Sequence, residues 1–131
     1  MRKILFRGQR MDNEEWGYGF YNHIPCGRFL CDEHLIQTVN EDGRIGDLHR
    51  VYERTVGQYT GLTDKNGAKI FEGDILGTNN RSSYIWIVDF KAAAFCANQG
   101  NCNFACELSE FMELTTEVEV IGNIHDNPEL L

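Results

Sequence analysis

The chain has 131 residues, of which 42% are hydrophobic and 24% charged, so it has the size and composition of one globular domain. Its formal net charge of −8 would repel a phosphate backbone, which counts against nucleic-acid binding. No apolar run approaches the roughly 20 residues of a membrane span, and Met1-Arg2-Lys3 does not open a signal peptide, so we expect a cytoplasmic protein with no membrane partner.

Alternating apolar residues predict a hairpin at the N-terminus. Ile4 and Phe6 share one face of a strand over residues 3–9, which is the period of a half-buried strand. After a polar turn at 11–15, aromatic residues interleaved with glycines at 16–21 predict a second strand that pairs back on the first.

Between Pro25 and Arg50 the apolar residues keep no single period for long. Residues 41–43, Glu-Asp-Gly, supply a hairpin-type turn between the stretch at 35–39 and Ile45. We therefore expect short strands in this part of the chain.

The strongest local pattern lies between residues 55 and 76. Two β-rich runs flank a loop in which Asn66-Gly67 tolerates the positive φ angles of a tight hairpin. Residues 72–74, Glu-Gly-Asp, then turn the chain sharply into the next short strand, as small barrels do to bend a sheet. Six residues are predicted to have structural roles in these turns: Gly61, Asp64, Asn66, Gly67, Gly73 and Asp74.

The longest strand candidate, residues 83–90, is apolar on both faces. Trp86 and Val88 fall on one face, and Ile85 and Ile87 on the other. Such a strand needs cover on both sides, either because it is central in the fold or because one face meets another copy of the chain. The predicted interface comprises Tyr84, Ile85, Trp86 and Ile87.

The C-terminal part combines one helical segment with one strand. Leu108, Phe111 and Met112 have helical spacing and predict a short helix near residues 107–113. Residues 116–124 return to clean alternation, with Val118 and Val120 facing inward.

Four segments, in this order along the chain, resemble the YopX family of phage and prophage proteins. They are RKILFRG at 2–8, VGQYTGLTDKNG at 56–67, IFEGDIL at 70–76 and EVIGNIHDNPELL at 119–131. The resemblance spans nearly the whole chain and implies an all-β, coiled-sheet or barrel-like fold. It also implies expression from prophage-type genes in a bacterial cytoplasm, self-association, and no particular biochemical activity. The segment from Cys96 to Cys106 departs from the family's pattern, and no role follows for its three cysteines.

These patterns together predict a mainly β fold of strongly coiled antiparallel sheets in an SH3-like barrel or pseudo-barrel, with one short helix. We expect a single domain over residues 1–131. A division into an N-terminal β subdomain, 1–54, and a C-terminal barrel subdomain, 55–131, is also consistent with the sequence.

No established catalytic motif is present, so no catalytic residue, cofactor or metal site is expected. Glu72 with Asp74 could form the carboxylate pair of a hydrolase, but Asp64 and Asp74 are better explained as turn residues. His125 beside Asp126 is not accompanied by a nucleophile in a strained turn.

A zinc site built from cysteines and histidines is a weaker alternative. The spacing of the cysteines lacks the two tight pairs of a structural zinc site, so free thiols are favoured in a compartment that disfavours disulfides. The residues that would have to converge are Cys96, Cys102 and Cys106 with Cys26, Cys31, His23 or His34.

The function that fits best is a non-enzymatic phage or prophage accessory protein that forms a homo-oligomer and binds a host or phage protein. A nucleic-acid-binding β-barrel is the alternative, in which Trp16, Tyr18, Phe20 and Tyr21 would stack on bases. A hydrolase at residues 72–74 ranks third, and the modest charge density disfavours a DNA mimic.

Overall fold

A computed structural model describes residues 3–25, 32–40, 42–78, 85–99, 105–115 and 117–131. Antiparallel strands dominate these ranges, which confirms the mainly β fold. The α-helix found in them, α1 (Leu108–Leu114), lies within one residue of the predicted bounds. By its contacts the chain divides into two compact units, Met1–Tyr59 and Thr60–Leu131.

The first unit is an antiparallel sheet in the order β4-β3-β2-β1, with the start of β5 next to β1. Its pairing of Phe6 with Gly19 confirms the predicted N-terminal hairpin. A 3-10 turn at Glu53–Thr55 precedes β5. The strands are β1 (Phe6–Gln9), β2 (Trp16–Ile24), β3 (Glu33–Val39), β4 (Ile45–Arg50) and β5 (Gly57–Thr63), the last of which continues into the second unit.

The two faces of β2 have different environments, because successive side chains of a strand point to opposite sides. Tyr18 and Phe20 lie on the exposed face, where they are 44% and 48% accessible. Gly17, Gly19 and Tyr21 lie on the other face, towards the fully buried Ile36. This alternation decides which side chains of the first unit can meet in a site.

The second unit is a five-stranded sheet in the order β10-β9-β8-β7-β11, preceded by β6. α1 packs against β9 and β10. A bulge in β11 lies between Val120 and Gly122. The strands are β6 (Lys69–Phe71), β7 (Asp74–Thr78), β8 (Ile85–Lys91), β9 (Ala94–Asn98), β10 (Ala105–Glu107) and β11 (Val118–Asn123), followed by a 3-10 turn at Pro128–Leu130.

One face of this sheet and the helix enclose the core of the second unit. Full burial of each large apolar side chain contributes about 1.5–3 kcal/mol, so this cluster is the main source of stability. Its buried members are Ile70, Leu76, Val88, Ala97, Leu108, Phe111 and Val118. The pairings found among the described residues leave β10 and β11 as sheet edges, so the sheet is not a closed barrel but is compatible with a pseudo-barrel.

The connection from β8 to β9 is a two-residue hairpin turn made by Ala92 and Ala93, whose φ angles are +51° and +63°. Such turns favour Asn-Gly, because glycine has no Cβ and asparagine tolerates the left-handed region, in which other L residues are strained. The sequence lacks that signal here, which is why this hairpin was not predicted.

The helices in the described ranges are too short, and not apolar enough, for any of them to cross a bilayer.

Candidate functional site

Two histidines meet across the β2–β3 hairpin. His23 pairs directly with His34, so both side chains lie on the same face of the sheet. Their rings are stacked, with centroids 4.5 Å apart and planes 7° from parallel. His34 is the better buried of the two, with a side chain only 10% exposed.

Carboxylates accompany both rings. Asp32 Oδ2 lies 2.9 Å from His23 Nε2, and Glu53 Oε2 lies 3.4 Å from His34 Nε2. One possible ligand atom from each of His23, Asp32 and His34 lies within 4.8 Å of the other two. We call these three residues the histidine cluster.

Tyr21 contacts the ring nitrogen of His34 that does not face Glu53. Its hydroxyl lies 2.5 Å from His34 Nδ1, and its ring packs 5.6 Å from that of Phe6. Burial raises the pKa of Tyr21 above its ordinary value, and the charges of Glu53 and Asp32 raise it further. The hydroxyl therefore stays protonated at neutral pH and remains available as a hydrogen-bond partner for the imidazole.

A pocket of about 490 Å³ opens beside the histidine cluster. Asp32 and His34 belong to both, so the cluster can be reached from solvent. Arg50 pairs with Glu33 at 2.9 Å on the pocket wall. The lining residues are Met11, Asp32, Glu33, His34, Arg50, Val51, Tyr52 and Glu53.

The chemistry of this wall is that of a cation site or a proton acceptor. Among the described lining residues there are three carboxylates and one guanidinium, so their summed charge is negative when the imidazole is neutral. No Ser, Thr, Cys or Lys is among the described residues that line the pocket, so this part of the chain offers none of the commonest nucleophiles.

The residues of the predicted interface are divided between the two faces of β8. Tyr84 lies outside the described residues. Trp86 packs on Phe111 with ring centroids 4.8 Å apart and joins the core. Ile85 and Ile87 point to the opposite face and are half-buried. Of the four, these two isoleucines can contribute to a surface.

The turn at residues 63–68 is built around Asp64. Its carboxylate accepts backbone N–H groups from Asn66 and Ala68, and from Val120 of β11. Burial alone would raise the pKa of Asp64, but these three hydrogen bonds outweigh it and lower the pKa. Gly67 and Gly61 have φ angles of +81° and +90°, which glycine adopts without strain.

The second turn, at residues 71–74, has Gly73 at φ +87°. Asp74 accepts the backbone N–H of Phe71 at 2.7 Å and is only 1% exposed. A carboxylate in this position fixes the turn and cannot be reached by a substrate in solution. Asp74 is therefore not placed to act with Glu72 as the carboxylate pair of a hydrolase.

The remaining candidate residues that the structure describes belong to the second unit. Cys96 is buried in β9, and Cys106 is half-buried in β10. Burial raises the pKa of the Cys106 thiol, helped by the charge of Glu110. His125 and Asp126 both donate backbone N–H groups to the Asn123 side chain in a turn. Cys26, Cys31 and Cys102 lie outside the described residues.

The four aromatic residues of β2 do not all lie on one face of the sheet. Tyr18 and Phe20 are exposed on one face, and the guanidinium of Arg7 lies 4.8 Å from the centre of the Trp16 ring. Tyr21 lies on the opposite face against His34.

Comparisons with known proteins support a single family and fold. The model of the YopX protein family matches residues 6–131. A crystal structure of protein EF1440 from Enterococcus faecalis is similar over 100% of this chain and 99% of its own, with a TM-score of 0.60 and 23% sequence identity. No curated protein matches the chain.

Proposed function

The chain belongs to the YopX family, and from that premise we propose that it is a non-enzymatic phage or prophage accessory protein. It assembles with itself in the bacterial cytoplasm and binds a host or phage protein. The observation that supports assembly most directly is the apolar face of β8 opposite Val88 and the buried cluster, where Ile85 and Ile87 are half-buried.

This face extends beyond β8. Ile85 pairs with Gly77 of β7, whose missing side chain leaves room for Ile121 from the bulge of β11. Ile121 is itself 41% exposed. Lys65 and Glu119 form an ion pair at 3.8 Å. Because Glu119 of β11 lies opposite Gly77 of β7 in the sheet, this ion pair borders the patch. An apolar patch bordered by both charge signs suits contact with the same patch of a second copy around a two-fold axis.

Assembly has a direct test in the substitution Ile87→Asp. A charge buried in an apolar interface costs several kcal/mol, so we expect dissociation of the homo-oligomer to be favoured by more than about 100-fold. Light scattering coupled to size-exclusion chromatography measures the mass of wild type and variant at several concentrations. Ile45→Asp is the matched control, because Ile45 is 61% exposed and lies in β4 of the other unit. A wild-type chain that stays monomeric at high concentration would overturn the proposal.

A second apolar surface fits the partner-binding half of the proposal. Phe20 pairs with Gln37, which pairs with Leu48, so the three side chains form a row across β2, β3 and β4. Phe20 and Leu48 are 48% and 52% exposed, and Tyr18 is 44% exposed on the same face. Exposed aromatic residues in such a row are the type that dominates binding energy in protein interfaces.

The same row distinguishes a protein partner from the nucleic-acid alternative, which Tyr18 and Phe20 favour because exposed rings can stack on bases. We expect Phe20→Ser to abolish capture of one stoichiometric host or phage protein, because the row loses its aromatic side chain. Leu114→Ser is the control, since Leu114 is 76% exposed and lies in α1 of the second unit. We also expect no salt-dependent mobility shift with single- or double-stranded DNA. A shift that Phe20→Ser removes would replace the protein-binding function with the nucleic-acid one.

A further inference from the structure

We propose that the histidine cluster binds one divalent transition-metal cation, with Zn²⁺ as the best-matched ion. One ring nitrogen from each of His23 and His34 and one carboxylate oxygen of Asp32 would be the ligands. The observation that carries the proposal is that these three atoms already lie within 4.8 Å of one another. Two imidazoles and a carboxylate are a ligand set that proteins use for zinc with one position left open.

A tetrahedral ion requires one imidazole to rotate, because the two ring planes are 7° from parallel and their in-plane lone pairs do not meet at one point. With zinc–ligand bonds of about 2.0–2.2 Å, neighbouring ligand atoms lie about 3.3–3.6 Å apart. His23 Nε2 and Asp32 Oδ2 are 2.9 Å apart, so this pair has to open slightly. Both side chains are more than 40% exposed and can move by this amount without disturbing a packed core.

Tyr21 supplies the outer contact that metal-binding histidines typically have. A ligating imidazole usually donates its other N–H to an oxygen, which fixes its tautomer and orientation. The Tyr21 hydroxyl at 2.5 Å can accept the proton of His34 Nδ1, which leaves the Nε2 lone pair of His34 for the cation. Glu53 Oε2 lies 3.4 Å from that nitrogen but outside the three-residue cluster, so it would reach the fourth position through a water.

The surroundings favour a cation and allow it to enter. Among the described residues of the adjoining pocket, Asp32, Glu33 and Glu53 stand against the guanidinium of Arg50, which is already paired with Glu33. The field at the cluster is therefore negative when the histidines are neutral. The opening of the pocket gives a hydrated ion a route to His34, the most buried of the three ligands.

The competing explanation is that the cluster is a pair of half-exposed histidine–carboxylate contacts with no ligand. Such contacts contribute little to the stability of the fold when they lie on the surface. The two explanations differ in one measurable property. A metal site requires all three residues at once, whereas the separate contacts do not.

Isothermal titration of the purified full-length chain with Zn²⁺ tests the proposal. We expect His23→Gln and Asp32→Asn each to remove one equivalent of bound zinc, or to weaken it by more than about 100-fold, because even outer contacts of a metal site are worth 10–100-fold. His125→Gln is the matched control, since it removes a histidine of the second unit and should leave that equivalent intact. Circular dichroism of each variant checks that it is folded, and Asp32→Asn is the safer variant because its side chain is 47% exposed.

Co²⁺ absorption separates this site from one made by the chain's five cysteines. A site of imidazole and carboxylate lacks the intense thiolate-to-cobalt charge-transfer band, and we expect none from the equivalent that His23→Gln removes. Tyr21→Phe should weaken binding by about 10-fold or more while keeping one equivalent. Zinc binding that is unchanged in His23→Gln and Asp32→Asn, an absence of zinc binding to the wild type, or a thiolate band from this equivalent would overturn the proposal.

Discussion

Replacing Gly19 with alanine should destabilise the first unit by more than about 3 kcal/mol, because the added methyl group meets backbone atoms that cannot rotate away. A Cβ at this position would overlap the carbonyl oxygen of Gln37 and come within 2.8 Å of the carbonyl carbon. It would also lie 3.0 Å from Thr38 Cα. The only relief is to move β2 away from β3, which breaks the hairpin that places His23 opposite His34.

Gly17→Ala is the matched control for this substitution. Gly17 lies two residues earlier, on the same face of β2, and its nearest neighbour would be 3.7 Å from the new Cβ, an ordinary contact. We expect its free energy of unfolding to stay within about 1 kcal/mol of wild type, since alanine is no worse than glycine in a strand. Urea denaturation of both variants measures the difference. Equal stabilities would show that β2 and β3 are not packed as closely as described.

The second large effect is expected at Asp64. Asp64→Ala leaves three backbone N–H groups without their carboxylate, and hydrogen bonds to charged groups contribute about 1.5–3 kcal/mol each before relaxation. Water replaces part of this loss, so we expect a decrease of about 3 kcal/mol in the free energy of unfolding. The free energy of unfolding of Asp64→Asn should lie between those of Asp64→Ala and wild type, because an amide keeps one acceptor oxygen and loses the charge.

Asp64 also predicts how stability changes with pH. Its pKa in the folded chain is below the ordinary value of 3.8, so the unfolded chain takes up a proton first as the solution becomes acidic. The stabilisation from Asp64 is complete above that value and is lost as the pH falls through the lower, folded-state pKa. Urea denaturation at several pH values in this acid range measures the free energy of unfolding. We expect this free energy to fall less steeply with decreasing pH in Asp64→Ala than in wild type.

Asp12 is the control for the acid measurement. Its pKa is also lowered, chiefly by the hydrogen bond from Arg10, but the Asp12 side chain is 61% exposed to solvent. Solvent screens such pairs, so Asp12→Ala should change neither the stability nor its pH dependence appreciably. If Asp12→Ala and Asp64→Ala behave alike in acid, the role assigned to the Asp64 hydrogen bonds is wrong.

Much of the fold could be predicted because local chemistry and tertiary packing agree in these segments. The Asn66-Gly67 pair favours the turn that the structure contains, with Gly67 at positive φ. Val118 and Phe111, assigned to the core from their spacing, are both buried there. In each case the residue's own preference and its environment favour the same conformation.

The histidine cluster could not be predicted in the same way. Its geometry depends on the register of β2 against β3, and a shift of one residue would turn His34 to the other face. The apolar residues between 25 and 50 have no regular period, so the register of β2 against β3 could not be predicted from the sequence. The sequence did suggest His23 and His34 as metal ligands, but only in combination with cysteines, because spacing along the chain does not show that Asp32 comes 2.9 Å from His23.

The alanine turn between β8 and β9 offers a practical means of protecting fragile variants of this protein. Ala92 and Ala93 both keep left-handed backbone angles that asparagine and glycine adopt more easily. An Asn-Gly replacement there would release local strain at an exposed position beyond the end of β8. Such a reinforced background could keep substitutions at Ile87 folded, so that a loss of oligomers could be separated from a loss of structure.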